Sequence, residues 1–370
     1  MALIYYMGGT PIFEEEAKQK QYSGDFHVFN KALSEGSNYD LKVRHGVLST
    51  KDFDKPEFKK IGIGKPLSIE ILTIYSGDAP NRFLGKKDLL VTSGVKSIIT
   101  YEEAPKAVNQ IFKKINDNTY YEPSASNIGC PLVYYTPALD MGTILCSFSL
   151  VADTFNEETF DKISSLLTKA GGIPVFAPTS TILLAGSIIS GMISKLGKAL
   201  FESKPFFKGD IDIRLDTPDH PITKSDHIAI IDSRHEDEFE NYTPKSIKVG
   251  GNTQIRLVNI ITNKFYDGNA PYILVSIDGR EKDEFKSFNP TIASASILEK
   301  FYGTDFQGQT IEVIQEAMGL YNDLEYRKKA TSLEKKLETI TDKSSEEYTK
   351  MKALLDAYQK NIENDLLKLT

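Results

Sequence analysis

Tryptophan is absent from the 370 residues, which by itself excludes nothing, and cysteine is nearly absent. Cys130 and Cys146 stand alone, with no Cys-x-x-Cys spacing, and read as two buried thiols of a chain kept in a reducing compartment. Signatures of catalysis are missing too. Gly62-Ile63-Gly64-Lys65 lacks the spacing of a phosphate-binding loop, and Pro66 follows where a helix should begin. Gly186-Ser187 and Ser190-Gly191 do not make a Gly-x-Ser-x-Gly elbow, and there is no His-Glu-x-x-His. An excess of basic residues is also lacking. Lys and Arg number 44 against 51 Asp and Glu, a net charge of -7, so nucleic acid is not the expected partner. The opening MALIYYMGGTPIF has no basic n-region and no cleavage site, so no secretory leader is expected and a cytoplasmic chain is the reading.

What remains is ordinary globular composition, 40% hydrophobic and 26% charged, with length enough for two domains and an appendage. Short strands are expected at 3–7 and 45–48, with a loop or short helix at 14–21. Clear strand patterns follow at 66–75, 88–92 and 95–100, the last two split by Ser93-Gly94. Ala107, Ile111 and Ile115 predict a helix over 104–116. Strands return at 132–135 and 143–152. Phe160, Ile163, Leu166 and Leu167 predict an amphipathic helix over 157–170, with a more apolar one at 181–202. A second β-rich stretch has strands at 211–215, 227–232, 246–249, 254–261 and 272–277, and a helix is expected at 292–301. Segments 69–92 and 255–276 share a strand, a turn with Asp (Asp78; Asp267) and a second strand, an echo that chance explains as well as duplication.

The tail carries the clearest local pattern. Tyr326, Ala330, Leu333, Leu337 and Ile340 recur at helical spacing. Thr341-Asp342-Lys343 interrupts, and Ser344 with Glu347 forms a capping-box pattern. Tyr348, Met351, Leu355, Tyr358, Ile362, Leu366 and Leu369 then keep a near-heptad stripe, so the two helices should fold back as an antiparallel hairpin. The expected fold class is α+β. Two β-rich, sandwich-like units (1–153 and 209–305) are joined by a central helical pair (154–208) and followed by the C-terminal helical hairpin (306–370). Whether the two β-rich stretches share a sheet is left open by the sequence.

Three features could carry chemistry. The uncharged run 170–194 is long, but Pro174 and Pro178 interrupt it, and its helical part is short of the roughly 20 residues a bilayer requires. Ile182, Ile189, Met192, Leu196 and Leu200 would form its apolar face, for a protein partner or, on activation only, a membrane. The acidic and histidine-rich stretch 210–238 offers Asp216, His220, His227 and His235 as ligands for a divalent metal ion, the one cofactor the sequence suggests. The turn 76–88 resembles in outline the calcium-binding loop of C2 domains. Asp78 and Asp88 are its matching carboxylates, with Lys86 and Lys87 between them. The resemblance implies an oxygen-lined ion site at strand ends and a β-sandwich.

The preferred expectation is a non-catalytic binding or assembly protein, with a protein partner or self-association through the hairpin residues Leu333, Leu337, Ile340, Tyr348, Met351, Leu355, Tyr358 and Ile362. The alternatives are a membrane-active effector that releases helix 181–202, and a metal-dependent hydrolase built on 210–238.

Overall fold

A computed structural model describes residues 1–7, 9–17, 41–43, 46–48, 59–80, 86–97, 106–123, 128–155, 157, 160, 161, 164, 175–177, 205–215, 220–223, 225–249, 252–282, 285 and 308–368. Its first strands are β1 (Ala2–Met7), β2 (Thr10–Phe13), β3 (Leu41–Val43), β4 (Gly46–Leu48), β5 (Leu67–Tyr75) and β6 (Asp88–Ser97). Then come β7 (Lys106–Phe112), β8 (Tyr120–Tyr121), β9 (Ile128–Gly129), β10 (Leu132–Thr136), β11 (Thr143–Asp153) and β12 (Val175–Ala177). The last are β13 (Phe207–Arg214), β14 (His227–Ile231), β15 (Tyr242–Val249), β16 (Asn252–Asn259) and β17 (Tyr272–Asp278). Two long helices close the chain, α1 (Gly308–Thr339) and α2 (Glu346–Lys360). The fold is α+β, with antiparallel sheets and two C-terminal helices packed on each other.

Alternation of apolar and polar side chains makes the sheet faces. In β11, Ile144, Cys146, Phe148 and Leu150 are buried while Ser147 and Ser149 are half-buried. In β13, Phe207, Ile211 and Ile213 turn inward, and Lys208, Asp210 and Arg214 turn away from them. These strands belong to a six-stranded sheet of order β12-β7-β6-β11-β13, with β9 beside β7. A seven-stranded sheet runs β10-β5-β17-β14-β1-β2, with β8 beside β5. The inward residues of both sheets join one apolar core, in which Ile144, Phe148 and Ile213 meet Tyr5, Ile69, Ile228, Ile230 and Ile273. Gly209 of β13 sits against the side chain of Ile230 so closely that a Cβ there would overlap it.

The seven-stranded sheet is covered on its other face as well. Ile4, Tyr6, Ala229, Ile231, Tyr272 and Leu274 point to a second cluster, which the β15–β16 hairpin and the 3-10 helix Ser233–Phe239 roof over with Leu257 and Phe239. This explains why β1 and β14 are buried at every position and read as continuous apolar runs although they pair antiparallel. Aromatic rings dominate this layer. Phe239 stacks on Tyr266 at 4.5 Å, and Tyr75 stacks on Tyr272 at 5.5 Å.

The question of shared sheets has a direct answer. β14 and β17 lie between β5 and β1, and β13 extends the sheet of β6 and β11, so both β-rich stretches contribute to both sheets. The segments 1–153 and 209–305 therefore do not correspond to separate sheets.

Three local expectations are corrected. Residues 104–116 were expected to be helical, but 106–112 form β7. The ladder skips Asn109, pairing Val108 with Thr92 and Ile111 with Leu90. The spacing of Ala107, Ile111 and Ile115 is therefore not one helical face: the first two lie in the ladder on either side of the bulge, and Ile115 lies beyond the strand end. The two strands expected at 88–92 and 95–100 are one, β6, because Ser93 and Gly94 stay in the ladder opposite β11. Within the expected helical pair 154–208, residues 175–177 form an edge strand, β12. Residues 157, 160, 161 and 164 are helical as expected, and 14–17 make a helical turn. The helices expected at 181–202 and 292–301 lie outside the described residues.

Candidate functional site

The site that the sequence pointed to most clearly is the helical hairpin, and its geometry starts at the turn between the helices. Asp342 accepts hydrogen bonds from the backbone N–H and the hydroxyl of Ser344, at 2.9 and 2.6 Å. Ser344 is thereby held in an Asx-type turn, and the neighbouring Ser345 caps α2, its Oγ accepting from the Tyr348 N–H at 3.2 Å. The cap thus lies one residue beyond the expected Ser344, and no capping box forms, because Tyr348 occupies the third position.

The seams face each other. Ala330, Leu333, Leu337 and Ile340 of the first helix side pack with Tyr348, Met351, Leu355 and Tyr358 of the second. Tyr326 and Tyr358 stack at 5.7 Å, and Gln359 donates to Glu334 across the pair at 3.1 Å. Ile362 is buried, but Leu366 is 87% exposed, so the apolar stripe stops at Ile362. The reason is the helix end at Lys360. Beyond it the Asp323 carboxylate accepts from the backbone N–H groups of Glu363 and Asn364, turning the chain across α1.

The hairpin sits on the β-body through two loops that are bonded to each other. The Gly64 N–H donates to the Leu139 carbonyl, and the Leu139 N–H donates to the Lys65 carbonyl, both at 2.8 Å. Ala138 of the second loop enters the seam cluster. Asp140 accepts from the Lys329 ammonium of α1 and from the Tyr358 hydroxyl of α2, each at 2.9 Å. Gly64 has a φ of +76°, and a Cβ there would lie 2.7 Å from the Ala353 carbonyl carbon in α2. Only glycine lets loop and helix backbones approach this closely. Lys360 pairs with Glu281 at the far end of the seat. Burial raises the Tyr358 phenol, and the Asp140 carboxylate beside it raises it further, so it stays a hydrogen-bond donor well into alkaline pH. Sequence reading missed Gly64 and Asp140. Their only signal was a glycine in a Gly-x-Gly turn and an isolated acid after Pro137.

The remaining sequence candidates fall on separate elements. His220 accepts from the Ile222 N–H at 3.4 Å, His227 is buried 3.4 Å from the Asp226 carboxylate, and His235 pairs with Glu238 at 2.7 Å. Asp216 lies outside the described residues. Among the described residues, no three His, Cys, Asp or Glu side chains come together as a metal would require. Asp78 is exposed in the turn after β5. Asp88 is buried, its two oxygens accepting from the Lys114 N–H at 2.9 Å and the Phe155 N–H at 3.3 Å, so it ties β6 to the turn after β7 and the end of β11. Cys146 is buried as expected and Cys130 is half-buried, and burial pushes their thiols up to about 12 and about 11, away from the reactive thiolate. Ile182, Ile189, Met192, Leu196 and Leu200 lie outside the described residues. Among the described residues, no helix is long and apolar enough to cross a membrane.

Comparison with family models finds no match, and a search of curated proteins finds no significant similarity.

Proposed function

We propose that the chain is a non-catalytic binding or assembly protein that acts through protein–protein contacts made by its C-terminal helical hairpin. The observation that carries this reading is the direction of the two seams. They are closed against each other and against Ala138, and the hairpin is pinned to the body by Asp140 and Gly64. A helix pair fixed in this way presents a constant outer face. On α1 that face is a stripe of exposed residues at helical spacing, with Leu324, Lys328, Ser332 and Lys335 in line. A seam already filled cannot form a coiled coil with another chain, so the partner contact belongs to this outer stripe and not to the heptad residues.

The test is the pair of substitutions Leu324→Asp and Lys335→Glu, made together. Both side chains are exposed, so melting should stay within about 0.5 kcal/mol of the parent in stability. Assembly mass measured by light scattering, and recovery of partners that co-purify with the parent, should both fall. Unchanged mass and unchanged partners would sink the reading. The alternatives of membrane release by 181–202 and hydrolysis over 210–238 gain no supporting observation from the described residues.

A further inference from the structure

The aromatic layer over the seven-stranded sheet opens to solvent at one end, well away from the helical hairpin. There, Tyr75, Asn118 and Tyr120 face the segment 263–267 across a shallow depression of about 520 Å3, within the roughly 300–1,000 Å3 usual for small-molecule sites. We infer that this depression binds a neutral saccharide.

The first argument is rigidity. Every phenol at the depression uses its hydroxyl to hold backbone. Tyr75 donates to the Gly268 carbonyl at 2.9 Å, Tyr120 donates to the Tyr266 carbonyl, and Tyr266 donates to Glu238 while accepting from the Ala270 N–H at 3.2 Å. The rings brace one another, Tyr75 to Tyr120 at 4.9 Å and Tyr75 to Tyr266 at 5.2 Å. The platform is therefore preformed, and a ligand would not have to order it. Phe265 completes the rim and is 42% exposed, its ring edge-on to Tyr120 at 6.4 Å.

The second argument is the polar rim. Among the described residues the side chains of Lys264 and Asp267 form no hydrogen bond or ion pair, although both line the depression. One is a pure donor and the other a pure acceptor. A hydroxyl both donates and accepts, so neighbouring hydroxyls on one ring can satisfy both groups. Asn118 and Asn263, on opposite sides, are in the left-handed backbone region with φ of 49° and 56°. Asparagine takes this conformation readily, so the two turns hold the rim without strain.

The third argument is charge. The cation position on these rings is already filled from within. The Arg256 guanidinium lies 4.2 Å from the Tyr120 centroid and 5.4 Å from that of Phe265, and it is neutralised by a two-point pair with the buried Glu122. Lys264 and Asp267 are of opposite sign. The two charged side chains that line the depression therefore cancel, which gives a phosphate or a quaternary ammonium no advantage over an uncharged ligand there. The ligand that matches fixed ring faces, one donor, one acceptor and no net charge is a sugar, its C–H face on Phe265 and its hydroxyls on Lys264 and Asp267.

The full-length chain should be passed over immobilised neutral glycans (glucan, mannan, galactan and chitin fragments), with heparin and a choline surface as charged comparators. At least one neutral glycan should be retained and released by the free sugar at millimolar concentration. Phe265→Ala and Asp267→Asn change exposed side chains, and each should weaken that retention tenfold or more with unchanged melting. Leu324→Asp, on the helical hairpin, should leave it intact. The inference is overturned if no neutral glycan is retained, if heparin or choline binds in preference, or if retention survives both rim substitutions.

Discussion

Two hairpins are packed on the same β-body, and they are attached in opposite ways. The β15–β16 hairpin is fused to its sheet by a continuous apolar layer, in which Leu257, Phe239, Tyr266 and Tyr272 are fully or almost fully buried. Among the described residues, the α1–α2 hairpin packs its apolar seam on itself and meets the body through Ala138, Gly64, the Asp140 latch and the Lys360–Glu281 pair. The β-hairpin is thus part of the core, whereas the described part of the helical pair packs chiefly on itself. The contrast predicts that damage to the first spreads through the sheet, and that damage to the second stays local.

The largest effect is expected from Phe239→Ala. Removing a ring stacked on Tyr266 and edge-on to Tyr272 should cost about 3–5 kcal/mol in urea unfolding and loosen the whole seven-stranded sheet. A loss below about 1 kcal/mol would mean that the aromatic roof is not part of the core. Next is Gly64→Ala, where a side chain must enter the left-handed region against the Ala353 backbone, at a cost of about 1–3 kcal/mol. Hydrogen exchange should accelerate across the helical hairpin and stay slow in β5, β14 and β17. Equal acceleration in both would erase the distinction between the two attachments. The smallest effect belongs to the turn of the hairpin. Ser345→Ala should destabilise by about 1 kcal/mol through the lost cap, and Ser344→Ala, which loses only its turn bond to Asp342, by a few tenths. The reverse order would restore the capping that the sequence suggested.

The legible parts of the fold are those governed by neighbours in the chain. β5, β10, β11, β14 and β17 are strings of branched and aromatic residues bounded by turn residues, and the hairpin shows itself through spacings of three and four. β7 was misread because a bulge at Asn109 shifts the alternation by one residue. The order of strands was not legible at all, since β17 is sandwiched between β5 and β14 by long-range pairing that no local pattern encodes. The seat of the hairpin was hidden for the same reason. Asp140 and Tyr358 are 218 residues apart, and nothing near either one marks the other. The rim of the aromatic depression joins Tyr120 to Phe265 across 145 residues (265 minus 120), so its rings read only as scattered core aromatics.

The pairing of Ala2 with Ile231 has a consequence for synthesis of the chain. β1 is an apolar strand, and β14, the neighbour on one of its sides, leaves the ribosome 229 residues after it (231 minus 2). At about 5–20 residues per second that is a wait of roughly 10–45 seconds. During that interval β1 has one edge without its final partner and two apolar faces, so the nascent chain is a natural client for chaperones until β14 arrives.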